Sequence, residues 1–473
     1  MQYKYLNISI NLLRKMIAIV QATVFLLSCD FDPVDYIDES KIFTSVERLD
    51  NAALGVYEAW YPEYIIRISS LITDECAIGA QNLGLDAIGQ SIFRWTFSSD
   101  DDDVLAPWAN GYKVIGRVNK ILEKIDTVPV RDEEEEQKKR SIKGELLAIR
   151  AFVHFDLYRV YGYSGIYDAT APAVPYMKIC KMNSQPSRPD TGSFFSDLWH
   201  DIEEAESLKP VNDVIRVGMT AIECLHARVA LYAEKYQEAA DYAGKVIHKI
   251  ALTSSTEFPL LWDDNENGEI IFKLKRSKVN DIRPGDLFYK TCSDKVLFTP
   301  SRKLLDMYDI DSDVRYKSWY AKSSDHSSLY LITKYTGTNE NRNLNDVKML
   351  RVSEMYLIRA EALLRSGKHS VIYLASKDLN DLRAHRISNY KNENFFNNPD
   401  GLLNAIIEER FKELSYEGHR YFDLKRLGKS IERTANFAAS SDILDVASPC
   451  YFIPIPQSEV LSNPNIRPNN KGW

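Results

Sequence analysis

The stretch VSEMYLIRAEALLRSG, residues 352–367, decides the fold. Its apolar positions recur at three- and four-residue steps, its alanines leave room for a neighbouring backbone, and Gly367 supplies a stop, so 352–365 reads as one helix. Residues 371–385 repeat the same length of helical pattern after a tight turn, which makes a helical hairpin. Further back, 220–234 is followed at once by YQEAADYA at 236–243 and on through Ile250, with the same lengths and turn. Each such hairpin has an apolar face it cannot bury alone, so hairpins of this kind must stack.

The pairs resemble tetratricopeptide-type hairpins, whose period is about 34 residues. Residues 45–60 with 108–126, and 141–161 with 193–208, fit as two more pairs, each with a long insertion. Residues 132–161 read as one long helix: Asp132 and Glu133 to Glu136 put acids at the positive end of its dipole, and Gly162 ends it. The second helix of the first pair is placed after Pro107, and it carries Val114, Ile115, Val118, Ile121, Leu122 and Ile125. The expected fold class is mainly α, an α+α superhelix of four tetratricopeptide-like helix pairs with an irregular, loop-rich α+β face. On that face 269–275 (EIIFKLK) and 328–335 read as strands, while the rest of 253–350 and 386–401 is loop-like. Near the end, FIPIP at 452–456 and NPN at 463–465 are excluded from helices because each proline removes a donor and fixes φ. That segment is expected to lie extended across the repeats.

The 473 residues are 45% hydrophobic and 27% charged, an ordinary globular composition. Lysine and arginine number 59 against 67 acids, a formal charge of −8, and no basic stripe carries interleaved aromatics, so nucleic acid is excluded as a partner. The opening residues add a specific signal. Basic residues end at Arg14 and Lys15, an apolar run covers 16–27, and LLSC occupies 26–29. The run is too short to cross a bilayer, which takes about 20 residues, but it has the length of a signal-peptide core. It resembles a bacterial lipobox with Cys29 as the lipidated residue. The chain then divides into a lipoprotein signal peptide at 1–28, an acidic tether at 29–44, an N-terminal region at 45–250 holding helix pairs and a ligand-loop insertion, and a C-terminal region at 251–473 holding the last pair and the extended tail. Loss of Lys4, Arg14 and Lys15 with the leader takes the charge from −8 to −11. The other cysteines show no CxxC pairing, so neither a disulfide framework nor a zinc site is indicated.

No HExxH, GxSxG or GxGxxG occurs. Gly111 and Gly116 have phosphate-loop spacing without its Lys and Ser/Thr, and Asp309, Asp311 and Asp313 imitate a calcium loop in which Val314 and Tyr320 replace the required Gly and Glu. Glu408, Glu409, Glu413, Glu417 and Asp423 could include a glycosidase acid and base. Their four-residue spacing beside Arg410, Arg420 and Arg426 reads instead as an ion-pair network built on helices. No catalytic residue, cofactor or metal is assigned. Aromatic rings in loops can stack on sugar faces, and three places qualify: Trp95 at the end of the polar insertion 74–94, Phe288-Tyr289 after Pro284-Gly285, and Trp319-Tyr320.

Taken together, LLAIRAFVHFDLYRVYG (146–162), VSEMYLIRAEALLRSG (352–367) with DLNDLRAHR (378–386), IIEERFKELSYEGHRYFDLKRLG (406–428) and FIPIPQSEVLSNPNIRPN (452–469) resemble the SusD/RagB nutrient-binding outer-membrane lipoproteins of Bacteroidetes. Asp30, Asp32 and Asp35 after Cys29 are similar to the acidic stretch that sends such lipoproteins to the cell surface. The resemblance implies a non-catalytic, lipid-anchored surface protein that captures a glycan and forms a hinged lid over a SusC-like TonB-dependent transporter. Repeats would face the barrel and variable loops the ligand. The ligand candidates are Asp74, Asn82, Trp95, Phe288, Tyr289, Trp319 and Tyr320; the resemblance points to the loop from Asp74 to Trp95 and the loop around Tyr289, whose residue types depart from a starch-binding arc. Peptide capture, and glycoside hydrolysis by the carboxylates between 408 and 423, are the alternatives.

Overall fold

Side-chain caps set five of the longer helix starts in the computed structural model, which describes residues 43–473 apart from 85–87, 163–164, 182, 278–281, 291–292, 324–329, 339, 368–370, 396 and 434–441. The expected signal peptide, Cys29 and the tether up to residue 42 lie outside the described residues. Ser45 accepts from the Arg48 amide to open α1 (Val46–Ala59), and α2 (Glu63–Ile72) follows. Asp101 caps α3 (Asp102–Leu122) by accepting from the Asp103 amide at 2.9 Å. This corrects the expected start after Pro107, which lies inside the helix. The Asp101 cap, with Asp102 and Asp103 at the positive end of the dipole, outweighs the single hydrogen bond that Pro107 forgoes.

Asp132 caps α4 (Glu133–Tyr161), Gly162 follows it, and Asp190 caps α5 (Thr191–Leu208), which packs along α4. Then come α6 (Met219–Tyr232) and α7 (Tyr236–Ile247). After a long irregular stretch the helices resume with α8 (Val352–Arg365), α9 (Ile372–Arg386) and α10 (Pro399–Glu413), and α11 (Arg420–Arg426) closes the set. Helix α8 packs on both α7 and α9, so the stack continues across the interruption. Ala239, Ala243, Ala360 and Ala362 are fully buried at these contacts, as their small size requires.

The second face is made of short ribbons. Its strands are β1 (Cys76–Ile78), β2 (Ile270–Leu274), β3 (Tyr289–Lys290), β4 (Lys295–Val296), β5 (Phe298–Pro300), β6 (Tyr320–Lys322), β7 (Tyr330–Ile332), β8 (Val347–Arg351), β9 (Ile431–Glu432) and β10 (Ile443–Leu444). They pair antiparallel as β1–β5, β2–β8, β3–β4, β6–β7 and β9–β10. Strand β2 matches the expected 269–275, whereas within 328–335 the described strand is only β7. Cys76 and Cys224 are buried, Cys450 is half-buried, Cys180 is exposed, and Cys292 lies outside the described residues.

A buried charge network joins the two faces. Glu413 accepts from Arg315 at 2.9 Å, Arg351 at 2.8 Å and Arg386 at 3.0 Å, and all four side chains are at most 1% exposed. Glu409 accepts from Arg315 at 2.6 Å and Arg383 at 2.7 Å, and Glu417 from Lys334 at 2.6 Å and Arg351 at 2.7 Å. The expected ion-pair network exists, but these glutamates find partners on distant elements rather than along their own helix. Burial pushes the Glu413 carboxyl up, and its three guanidinium neighbours more than reverse this, holding it well below the carboxylate range. A carboxylate so enclosed neither meets a ligand nor exchanges a proton at neutral pH.

The tail also departs from expectation. Residues 452–456 are extended, but Pro464–Ile466 forms a 3-10 turn with Pro464 first, where no amide is needed, after a short helix Gln457–Ser462. The segment crosses the repeats: the Gln457 amide donates to Ser99 O at 2.7 Å, Asn470 Nδ2 to Tyr161 O at 3.1 Å, and the Trp473 ring stacks on Phe97.

Candidate functional site

The polar insertion between α2 and α3 is pinned at both ends. At its start Asp74 takes two hydrogen bonds from Arg420, at 2.8 and 2.7 Å, and one contact from Lys303 at 2.8 Å. Burial alone would raise the Asp74 carboxyl, but these two cations bring it down to about 2. Beside it, Glu75 is enclosed and accepts from the Tyr416 amide at 3.0 Å, and burial lifts its carboxyl to about 7. At the far end Arg433 lies between the Phe93 and Trp95 rings, 4.0 and 4.2 Å from their centroids. It donates to the carbonyls of Leu71, Ile72, Thr73 and Phe93. This arginine therefore ties the insertion to the base of the C-terminal region.

The tip of the insertion is held by strand pairing and by two amides. The Gly79 amide donates to Leu297 O at 2.8 Å, and a Cβ there would stand 2.1 Å from Val296 O, so only glycine permits the approach. Asn82 Nδ2 donates to Ile88 O at 3.0 Å, and Gln90 donates to Asn82 O. Asp74 and Asn82 are thus buried and act as architecture, the first in an ion pair and the second in a turn.

The expected aromatic platforms are largely corrected by burial. Trp95 donates its Nε1–H to Ile72 O at 2.9 Å and gives one ring face to Arg433. Phe288 packs edge-on against Tyr416 with centroids 5.2 Å apart. Trp319 is fully buried between Phe258 and Trp262, with Lys334 Nζ 3.7 Å from its centroid, and Tyr320 packs among Tyr308, Tyr316 and Tyr416. Flanking polar residues and turn signals made these rings look exposed, whereas partners distant in sequence cover them. Tyr289 remains half-exposed, with its hydroxyl bonded to Asp294.

Ile88 of the insertion and the loop through 282–290 meet, and between them and α2 opens a groove of about 510 Å³. Tyr64, Ile66, Arg67, Ile88, Arg283 and Lys290 line it, none of which the sequence reading selected. A usable signal was present in α2, where Tyr64 and Arg67 stand three apart on a helix half of whose residues are isoleucine or leucine, EYIIRISSLI. A larger cavity of about 780 Å³ lies beside α10, α11 and β9, and its lining includes Lys303, Arg383, Lys412 and Arg420. There Arg420 and Lys303 are engaged by Asp74, Arg383 by Glu409, and Lys412 by Asp313. Among the described residues no group of three or more His, Cys, Asp or Glu is placed to hold a metal, and no helix is long and apolar enough to cross a membrane.

The helix pairs thus stack beside a groove formed between α2 and two loops. Two family profiles match the chain, one described as the SusD family over residues 316–473 and one described as starch-binding and associating with the outer membrane over residues 35–231. Between them they match most of the chain, which belongs to the SusD/RagB family. It is similar to SusD-like protein P2 of Formosa agariphila, at 24% identity over 93% of this chain and 95% of that one. A solved SusD superfamily protein from Bacteroides thetaiotaomicron superposes with a TM-score of 0.80 at 24% identity, covering 90% of this chain and all of that one. Surface glycan-binding protein A from Bacteroides fluxus does so with a TM-score of 0.74 at 18% identity, covering 91% of this chain and 100% of that one. The fold is the mainly helical SusD-like fold. SusD family proteins are binding proteins, not enzymes, and the profile over residues 35–231 ties its members to starch and to the outer membrane.

Proposed function

We propose that this chain is a surface lipoprotein, anchored through Cys29, that captures an oligosaccharide and acts as a lid over a SusC-like TonB-dependent transporter. The observation that carries this reading is the pair of family profiles, one at each end of the chain. In this arrangement residues 1–28 are removed on export and 29–44 form a tether. The helix pairs face the barrel, and the groove beside α2 receives the sugar, with Tyr289 at its edge. Regions 45–250 and 251–473 both contribute to the groove.

A lid needs only modest affinity, in the micromolar range or roughly −8 kcal/mol, because enclosure by the transporter completes capture. The test is purification of the native lipoprotein from outer membranes in mild detergent, with mass spectrometry of what accompanies it. Co-purification of a large TonB-dependent barrel protein is expected. Recovery of the lipoprotein alone, under conditions that keep other outer-membrane complexes intact, would overturn the transporter part of the reading.

A further inference from the structure

Burial of the expected platforms changes what the groove offers a ligand. Among the described residues that line it, Tyr64 is the one aromatic ring. Its charges are less ordinary. Glu63 is taken by Arg276 at 2.6 and 3.0 Å, Arg67 by Asp103 at 2.5 and 3.1 Å, and Asp286 accepts from Asn343 Nδ2 at 2.7 Å. Among the described residues that leaves Arg283 and Lys290 without an ion-pair partner, and Asp286 as an acid held by an amide rather than by a cation. The Arg283 guanidinium donates to the Arg342 carbonyl at 2.5 Å and meets no carboxylate among the described residues.

Lys290 stands directly opposite Lys295 in the β3–β4 ribbon. Residues so paired point to the same face with Cβ atoms about 4.5–5.5 Å apart, and like charges there repel. The turn between them holds Asp294, but its carboxylate accepts the Tyr289 hydroxyl, and neither ammonium has a salt-bridge partner among the described residues. The larger cavity differs in this respect, because most of its cations are already neutralised. Three cations without an ion-pair partner among the described residues, Lys290 lining the groove and Lys295 held against it from the next strand, outnumber the two carboxylates near them, Asp286 and Asp294.

We propose that the groove takes an acidic oligosaccharide, whose sulfate-ester or carboxylate groups meet Arg283, Lys290 and Lys295 while its apolar sugar faces lie on Tyr64 and Ile88. This specificity rests on the reading of the chain as a glycan-binding protein. Charge-assisted hydrogen bonds to the anionic groups supply the selectivity, and added salt weakens them. A bound anion also relieves the Lys290–Lys295 repulsion.

The test is titration calorimetry of the intact lipoprotein in detergent with four probes: a neutral malto-oligosaccharide, an oligogalacturonate, a sulfated galactan oligosaccharide and an oligo-aspartate peptide. At least one acidic sugar should bind about tenfold more tightly than the neutral one, with the advantage shrinking as salt rises. The K290Q/K295Q double variant should lose that advantage while its melting temperature stays level or rises, because a repulsion has been removed. The exposed single variant K295Q should show part of the same loss. The two acidic sugars separate carboxylate from sulfate recognition. Equal or tighter binding of the neutral sugar would overturn the charge specificity and leave the glycan reading standing. Binding of the peptide alone, or of no probe, would overturn both. A lowered melting temperature in K295Q would show the lysine to be partnered, and would overturn the proposal.

Discussion

Arg351 and Arg283 are the same side chain in opposite circumstances. Arg351 is 1% exposed and donates to Glu269, Glu413 and Glu417. Arg283 is half-buried at the groove and, among the described residues, has a single backbone carbonyl as its partner. Removing one partner from a buried pair leaves an uncompensated charge, so the interior has to match its cations with carboxylates. At the groove water solvates the guanidinium, and no such requirement acts. Matched charge in this molecule is architecture, and unmatched charge gathered on a concave surface is available to a ligand.

The hardest blow to the matched side is Glu413→Gln, which strips the shared carboxylate from three buried arginines. A loss of about 3–5 kcal/mol is expected, read from the denaturant midpoint. An unchanged midpoint would mean that the arginines find other acids and that the network is not a unit. Arg420→Ala comes next, leaving Asp74 enclosed with Lys303 alone. It should cost about 3 kcal/mol and visibly lower the melting temperature.

Protonation probes the same contrast. Asp74, Glu361 and Glu409 are each held at about 2, below the ordinary 3.8 for Asp and 4.5 for Glu, because arginine and lysine neighbours outweigh burial. Their folded pKa values are depressed, so their stabilisation is complete above about pH 4.5 and is lost as pH falls towards 2. Glu75 behaves in the reverse sense. Burial raises it from 4.5 to about 7, so its contribution weakens stability as pH climbs through that interval. Glu75→Gln keeps the acceptor for the Tyr416 amide and should gain about 2–3 kcal/mol at pH 8 over the parent, with little difference at pH 4. Parallel melting curves at the two pH values would contradict the neutral Glu75. The smallest effect belongs to Trp95→Phe, which removes one hydrogen bond to a carbonyl that Arg433 also uses. About 1 kcal/mol of stability is expected to go, with sugar affinity untouched. Loss of affinity at unchanged stability would return Trp95 to the ligand.

Much of the helical side was legible because its signals are local. Residues 352–365 carry their periodicity and stop within a few turns, and Asp132 announces α4 by its own chemistry. Where two local rules competed, at Asp101 and Pro107, the sequence could not rank cap against proline, and the expected start fell too late. The loop face was legible only by region. The insertion and the loop near Tyr289 were each named as ligand loops, but whether a ring faces water depends on partners such as Arg433 for Trp95 and Tyr416 for Phe288. Those partners lie far along the chain and leave no periodic trace. The lysine pair was invisible for the same reason, since Lys290 and Lys295 oppose each other only once the ribbon's register is known.

The long straps described above have a kinetic meaning. A simple helical solenoid folds from contacts between neighbouring repeats and does so quickly. Here Arg276 bonds to Glu63 across 213 residues, Asn470 to Tyr161 across 309, and Arg420 to Asp74 across 346. Closing loops of that length costs entropy before any contact rewards it. Refolding should therefore restore helical content early and the buried tryptophan environments late, with the slow step being the meeting of segments from opposite ends of the chain.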